Sequence, residues 1–145
     1  MSNVTSLRVT YDFWNIIEQL DWKGKCVSED RPYNVTKQQL VDICHKDVIL
    51  VNDIAETARA YRRVLADKIQ QYSLDNFNNR YKYPLISDDS FWDLTAHIVG
   101  CGKEAYEKAC NHPETIARDY VDNHNYKENF EYTFNGIDKL IEQSN

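Results

Sequence analysis

The sequence contains no long apolar segment. Its longest aliphatic run is the short stretch from Val48 to Val51, whereas a helix that crosses a bilayer needs about 20 mostly apolar residues. The first ten residues also lack the apolar stretch of a secretion signal. We therefore expect a cytoplasmic protein that does not enter a membrane. Its four cysteines should be free thiols, because disulfides are rare in that compartment.

The sequence also has no excess of basic residues. It carries 17 Lys and Arg against 23 Asp and Glu, a formal net charge of −6. A protein that binds nucleic acid without regard to sequence needs a basic face, so this composition excludes that class. The acidity is concentrated in residues 113–145, which contain seven acidic and three basic side chains. A protein partner is therefore expected to be basic, while the oligomeric state is left open.

Established catalytic motifs are absent as well. The sequence has no phosphate-binding loop, no nucleophile elbow and no His-Glu-x-x-His. Gly100-Cys101-Gly102-x-x-Ala105 fits the dinucleotide fingerprint as a string, but that fingerprint requires a preceding strand, and the sequence around it predicts a helix. We expect no cofactor, and a binding protein rather than an enzyme.

Helical periodicity dominates what the sequence does contain. Apolar residues recur at steps of three and four between residues 50 and 72, which predicts one long amphipathic helix, and Asp47 predicts a break before it. No stretch alternates as a half-buried strand would. The sequence therefore predicts an all-α, single-domain helical bundle over residues 1–145, with about five to seven helices and one long central helix. The apolar stripe of that helix consists of Leu50, Ile54, Ala58, Tyr61, Leu65, Ile69 and Tyr72.

Shorter helices are predicted on both sides of the central one. Residues 12–22 form a first helix in this interpretation, Gly24 ends it, and residues 23–35 form a loop. Thr36-x-x-Gln39 is a capping box, which predicts that a helix begins just after Thr36. A last helix is predicted over about residues 127–142. Its inward-facing residues are Phe130, Phe134, Ile137 and Ile141.

The stretch from residue 87 to residue 117 has the clearest local signals. Ser87 and the two aspartates after it suit a helix N-terminus, since their oxygens accept from free backbone N–H groups and complement the helix dipole. Phe91, Leu94 and Ile98 then form an apolar face, which predicts that all three are buried. Gly100 predicts the end of this helix.

The same stretch resembles an uncharacterised bacterial family, a domain of unknown function that is sometimes found beside a WGR domain. The resemblance covers about a fifth of the chain densely and the first helix sparsely. It implies a mostly helical fold and no particular activity. The matching residues are Phe13-Trp14-x-x-Ile17, Ser87-Asp88-Asp89-x-Phe91, Gly100-x-Gly102, Glu104-x-Tyr106-Glu107-x-Ala109 and Pro113.

Two sets of residues are candidates for a protein interface. Residues 73–86 interleave aromatic and basic side chains, the composition of interface hot spots, although the same aromatics could instead fix a loop onto the core. In the acidic C-terminal third, two carboxylates three residues apart share a predicted helix face with neighbouring tyrosines. The first set is Arg80, Tyr81 and Tyr83, and the second is Asp119, Tyr120, Asp122 and Tyr126.

Other residues are candidates for metal binding or catalysis. Zinc prefers thiolates and imidazoles, which makes a site of His97, Cys101, Cys110 and His112 conceivable, but their mixed spacing favours no metal. Carboxylates beside a histidine suit metal-dependent or acid–base hydrolysis. Those residues are Asp88, Asp89, Asp93 and His97.

Three hypotheses of function follow. The first is a protein-binding module, in its concrete form an acidic immunity-type protein that neutralises a basic toxin or effector domain. The second is a module that binds a small ligand or nucleotide in a pocket of Trp92, His97 and Tyr106. The third is a metal-dependent hydrolase. A pocket with converging polar groups favours the second, and bound metal the third.

Overall fold

Helices account for most of the molecule. The computed structural model describes residues 12–143. Within these residues no strand is present, so the predicted all-α bundle is confirmed. No helix among them is long and apolar enough to cross a membrane. The helices are α1 (Phe13–Leu20), α2 (Trp22–Ser28), α3 (Pro32–Ile43), α4 (Val48–Phe77), α5 (Asp88–Gly100), α6 (Lys103–Asn111) and α7 (Ile137–Gln143), with 3₁₀ turns at Pro113–Thr115 and Phe130–Thr133 and a π-helical turn at Ala117–Val121.

The central helix α4 confirms the prediction from periodicity. Its 30 residues correspond to a length of about 45 Å, and it packs mainly against α5, with further contacts to α6 and α7. The Asp47 carboxylate accepts hydrogen bonds from the backbone N–H groups of Ile49 and Leu50, so the break before α4 is an N-cap. Four members of the predicted stripe are buried, namely Ile54, Ala58, Leu65 and Ile69.

The core between α4 and the other helices contains most of the predicted apolar residues. Leu94 and Ile98 of α5 are fully buried, whereas Phe91 is only half-buried. Phe91 lies in the first turn of α5, at the edge of the core, where its ring contacts Trp92 edge-on with centroids 5.5 Å apart. The C-terminal residues predicted to face inward, Phe130, Phe134, Ile137 and Ile141, are all buried.

The predicted boundaries are wrong at the N-terminal end. Helix α1 ends at Leu20, because Asp21 adopts a left-handed conformation with φ 49°. A second helix follows at once, and Gly24 lies inside it instead of ending the first helix. Residues 23–35 are therefore mostly helical, because a glycine lowers helix propensity but does not stop a helix that packs well.

The capping-box prediction is also wrong. Helix α3 begins at Pro32, which occupies the first turn, where a missing N–H has no cost. Thr36 is buried inside α3, and its hydroxyl donates to the carbonyl of Tyr33. The same hydroxyl lies 2.7 Å from that of Thr133, so a tertiary contact uses the group that would otherwise cap a helix.

The last predicted helix is interrupted. Residues 127–129 are not helical, the 3₁₀ turn Phe130–Thr133 follows them, and Gly136 has a φ of +67°, a conformation that glycine adopts without strain. Helix α7 then begins at Ile137. The apolar residues predicted to face inward are still buried, because the 3₁₀ turn and α7 both place them on the core side.

Gly24 provides a test of α2. We expect Gly24→Ala to raise the free energy of unfolding by up to about 1 kcal/mol, because alanine is the better helix former. The atoms nearest to the new methyl group belong to the carboxylate of Asp21, and that exposed side chain can rotate away. Urea denaturation checks this expectation. A clear destabilisation would show that α2 needs glycine at this position.

Candidate functional site

A cavity of about 640 Å³ lies between α2, α5, α6 and residues 119–127. Its volume falls in the range of about 300–1,000 Å³ that is typical of small-ligand sites. His97 of α5 is the most buried polar residue that lines it, with 3% of its surface exposed. The wall combines thiols from Cys26 and Cys101 with tyrosine rings and lysine side chains.

The imidazole of His97 is fixed from both sides. Its Nδ1 accepts a hydrogen bond of 2.8 Å from the indole N–H of Trp22 and one of 3.1 Å from the backbone N–H of Lys127. Because Nδ1 accepts twice, the ring proton lies on Nε2. That proton points to the sulfur of Cys101, 3.4 Å away. The histidine therefore links α2, α5 and the chain before Phe130.

This pair does not form an activated nucleophile. The pKa of His97 is lowered to about 4, mainly by burial, and the charge of Lys23 contributes in the same direction. Burial raises the pKa of Cys101 to about 12. Both groups are neutral near pH 7, and Nε2 donates to the sulfur, so the imidazole cannot take the thiol proton. The arrangement supports packing and binding and does not support thiol catalysis.

Charged side chains surround the opening of the cavity. Lys108 and Asp119 form an ion pair of 2.9 Å, and Arg118 contacts the other carboxylate oxygen at 2.9 Å. Hydrogen bonds from Arg118 and Lys108 lower the pKa of Asp119. Lys23 and Lys127 line the same cavity, and neither ammonium group has an ion-pair partner among the described residues.

The acidic candidate set is divided by the structure. Asp119, Tyr120 and Tyr126 all line the cavity. Asp122 is exposed and is not part of the wall. Because two cations already neutralise Asp119, its carboxylate is poorly suited to attract a basic partner from a distance.

The aromatic candidate set lies together in a second concave surface, a groove of about 320 Å³ between the end of α4 and the start of α5. Arg80, Tyr81, Tyr83 and Trp92 line it. Tyr81 is 69% exposed and Trp92 42% exposed. We call this surface the aromatic groove.

Tyr83 also fixes its loop onto the core, as the alternative interpretation expects. Its hydroxyl donates to the carbonyl of Pro113 at 2.6 Å and accepts from the N–H of Ala117 at 3.0 Å. Its ring contacts that of Tyr72, with centroids 5.0 Å apart. Tyr83 is thus a rigid side of the groove, whereas Tyr81 and Arg80 are exposed.

The predicted pocket of Trp92, His97 and Tyr106 does not exist as a unit. Trp92 lines the aromatic groove, and His97 lines the large cavity. Tyr106 is buried in a different cluster, where its ring contacts Tyr61 and its hydroxyl donates to the carbonyl of Tyr61 at 2.9 Å. Local periodicity does not determine which faces of α5 and α6 meet.

The alternative metal site is not assembled. His97 and Cys101 are in contact, but Cys110 interacts with Tyr106, and the exposed His112 pairs with Glu114. Within residues 12–143, no three His, Cys, Asp or Glu side chains lie close enough together to bind a metal ion.

The carboxylates at the start of α5 do not meet His97 either. Ser87 caps the helix, and Asp88 and Asp89 are exposed in its first turn, as the dipole argument predicts. Asp89 and His97 are separated by about 12 Å along the helix axis. Burial raises the pKa of Asp93, and the charges of Glu128 and Asp89 raise it further. The predicted hydrolytic group of Asp88, Asp89, Asp93 and His97 is therefore not assembled.

Sequence reasoning missed Lys127 as part of the cavity wall and Trp22 as the buried partner of His97. The indole of Trp22 meets His97 across 75 positions of sequence, and no local periodicity encodes such a contact. The only available signal was chemical, because a buried indole N–H requires an acceptor. The sequence contains four histidines, and that signal does not choose among them.

The described residues form a small all-helical fold that contains the large cavity and the aromatic groove. The chain belongs to the family described as a protein of unknown function, DUF4240, which matches residues 9–140. This confirms the resemblance to an uncharacterised family. No curated protein and no solved structure matches the chain.

Proposed function

We propose that the protein is a protein-binding module that recognises a basic partner through the aromatic groove. The observation that carries the proposal is that Arg80, Tyr81 and Trp92 lie exposed around one depression of about 320 Å³. Tryptophan, tyrosine and arginine are the residues that dominate binding energy in protein interfaces.

Apolar exposure extends beyond the groove itself. Phe77, the last residue of α4, and Leu85, in the connection between α4 and α5, are 44% and 81% exposed. A small ligand would cover only the depression, whereas a protein surface would also cover these neighbours. Contiguous exposed apolar residues of this kind are typical of protein interaction sites.

Two of the aromatic rings in the groove, those of Tyr83 and Trp92, are held in place before any partner arrives. Tyr83 is fixed by its two hydrogen bonds, and the guanidinium of Arg62 lies 5.4 Å from the centroid of the Trp92 ring. Arg62 is in turn paired with Glu131 at 2.6 Å. Binding to a rigid platform loses less conformational entropy, and this supports a specific interface.

Charge supports a basic partner. The groove is lined by one cation, Arg80, and by Asp88; Asp89 is exposed beside Asp88, so two carboxylates accompany one guanidinium, and the whole chain has a net charge of −6. An arginine or lysine of the partner could lie against the exposed rings and reach Asp88, which combines cation–π and charge-assisted contacts. The concrete form of the proposal is an immunity-type antagonist that covers a basic toxin or effector domain.

A comparative pull-down tests the proposal. Wild type, the groove variant Tyr81→Ala/Trp92→Ala and the control Ile49→Ala are used as baits in lysate of the source cell. Ile49 is exposed at the other end of α4, about 40 Å from Phe77 along the helix axis. We expect quantitative mass spectrometry to find a basic protein with wild type and with Ile49→Ala, and at least about tenfold less of it with the groove variant.

Experiments with the captured protein then test whether the module is an immunity-type antagonist. Expressed alone, a toxin or effector should impair growth, and co-expression of wild type but not of the groove variant should restore it. The association rate of the purified pair should fall with salt and in Asp88→Asn/Asp89→Asn. Capture that is equal for all three baits would show that the groove does not recognise a partner.

A further inference from the structure

We propose that the large cavity between α2, α5, α6 and residues 119–127 binds a small organic anion that carries a flat ring. This inference is independent of the aromatic groove, because the two concave surfaces share no lining residue. It concerns a ligand of the protein and not its protein partner.

The cavity wall carries unpaired positive charge. Lys23 and Lys127 line it, and neither ammonium group has an ion-pair or hydrogen-bond partner among the described residues. Both charges are felt by side chains of the cavity wall. The charge of Lys23 contributes to lowering the pKa values of His97 and Cys101, and the charge of Lys127 contributes to lowering the pKa of Cys26. Two unpaired ammonium groups directed at one concave surface favour an anion.

The carboxylates that line the cavity do not cancel this charge. Asp119 is already paired with Lys108 and Arg118, each at 2.9 Å. Glu104 is the other acidic residue in the wall. Two free ammonium groups therefore oppose one free carboxylate, although the protein as a whole is acidic.

Two tyrosine rings form part of the cavity wall. The rings of Tyr120 and Tyr126 contact His97 edge-on, with centroids 5.8 and 6.3 Å apart. Their hydroxyl groups have no hydrogen-bond partner among residues 12–143. Burial raises the pKa of Tyr120, so its phenol stays protonated and can donate to an anion. A planar ring of the ligand would pack against these side chains.

Binding experiments with matched probes test both arguments. Adenosine monophosphate carries an anion and a ring, adenosine carries only the ring, and inorganic phosphate carries only the anion. We expect calorimetry to give adenosine monophosphate a Kd below about 1 mM and to give each fragment at least about tenfold weaker binding. Hydroxybenzoate, a ring-bearing carboxylate, tests whether the anion must be a phosphate.

Charge-matched variants locate the site. Lys23→Gln/Lys127→Gln should weaken binding at least about tenfold, because two charge-assisted contacts are lost. The backbone N–H of Lys127, which supports His97, is kept in this variant. The control Lys82→Gln/Lys139→Gln removes the same charge from exposed positions outside the cavity and should bind as wild type does.

NMR can locate the bound ligand without relying on a change in affinity between variants. The sequence contains three tryptophans, and only the indole N–H of Trp22 bonds to His97. Its NMR signal should shift on titration, while those of Trp14 and Trp92 stay unchanged.

Three results would overturn the inference. One is that neither adenosine monophosphate nor hydroxybenzoate binds at millimolar concentration. Another is that both lysine variants bind equally well. A third is that phosphate alone binds as tightly as the ring-bearing anions, in which case the tyrosines contribute nothing to recognition.

Discussion

Replacing Trp22 by alanine is expected to lower the free energy of unfolding by about 3–5 kcal/mol. Typical domains are stable by about 5–15 kcal/mol, so the variant should unfold at much lower urea concentration or fail to fold. The loss should be visible in the unfolding midpoint at unchanged slope.

The structural reason is that Trp22 joins three parts of the chain. It is completely buried, its ring contacts Phe130 edge-on at 5.0 Å, and its N–H reaches Nδ1 of His97. Packing is tight there, since a Cβ on Gly100 would lie 2.9 Å from the Trp22 ring. Truncation would leave a cavity and remove one hydrogen bond from a buried ring nitrogen.

Trp92→Ala is the matched control, because it removes the same side chain from a position that is 42% exposed. It should cost only about 1 kcal/mol, mainly through the lost contact with Arg62. Equal destabilisation by the two substitutions would contradict the described burial of Trp22.

Local signals in the sequence were sufficient to predict the helices with strong periodicity. Asp47 caps α4, and Ser87 caps α5, because an N-cap requires only residues within one turn of each other. The N-terminal boundaries failed for a different reason. The hydroxyl of Thr36 forms a hydrogen bond with that of Thr133, 97 positions away in sequence. A tertiary contact of this kind overrides a local capping motif.

The two concave surfaces differ in how far the sequence could predict them. The aromatic groove is built largely from residues 80–92, so neighbours in sequence remain neighbours in space, and Arg80, Tyr81 and Tyr83, which the sequence analysis grouped together, line it together. The large cavity joins α2, α5 and residues 119–127. Its assembly depends on how separate helices pack, which composition and periodicity do not determine.

The distribution of charge connects the two proposals. Net charge describes the average field of a protein and not the field at one site. The groove combines exposed rings with Arg80 and Asp88, and Asp89 is exposed beside it, whereas the cavity presents Lys23 and Lys127. One acidic chain can therefore attract a basic protein at one surface and a small anion at another.

The stability of the protein should also fall in mild acid because of His97. An unfolded histidine has a pKa near 6.5, and burial lowers the pKa of His97 in the folded state to about 4. Between these values the unfolded chain binds more protons, so stability decreases as pH falls from about 6.5 to about 4. The shift corresponds to about 3 kcal/mol.

The raised pKa of Asp93 acts in the opposite direction, since its protonation favours the folded state in acid.

A difference measurement isolates this contribution. In His97→Gln the side-chain oxygen can still accept a hydrogen bond from Trp22, but nothing titrates, so the stability gap between wild type and variant should shrink by about 3 kcal/mol from pH 6.5 to pH 4. His112→Gln changes an exposed histidine and should follow wild type throughout. In NMR spectra of the wild type, the ring protons of His97 should keep the shifts of a neutral imidazole until about pH 4. A parallel loss of stability in wild type and His97→Gln, or a ring that protonates near pH 6.5, would mean that His97 is not the buried acceptor of Trp22 and Lys127.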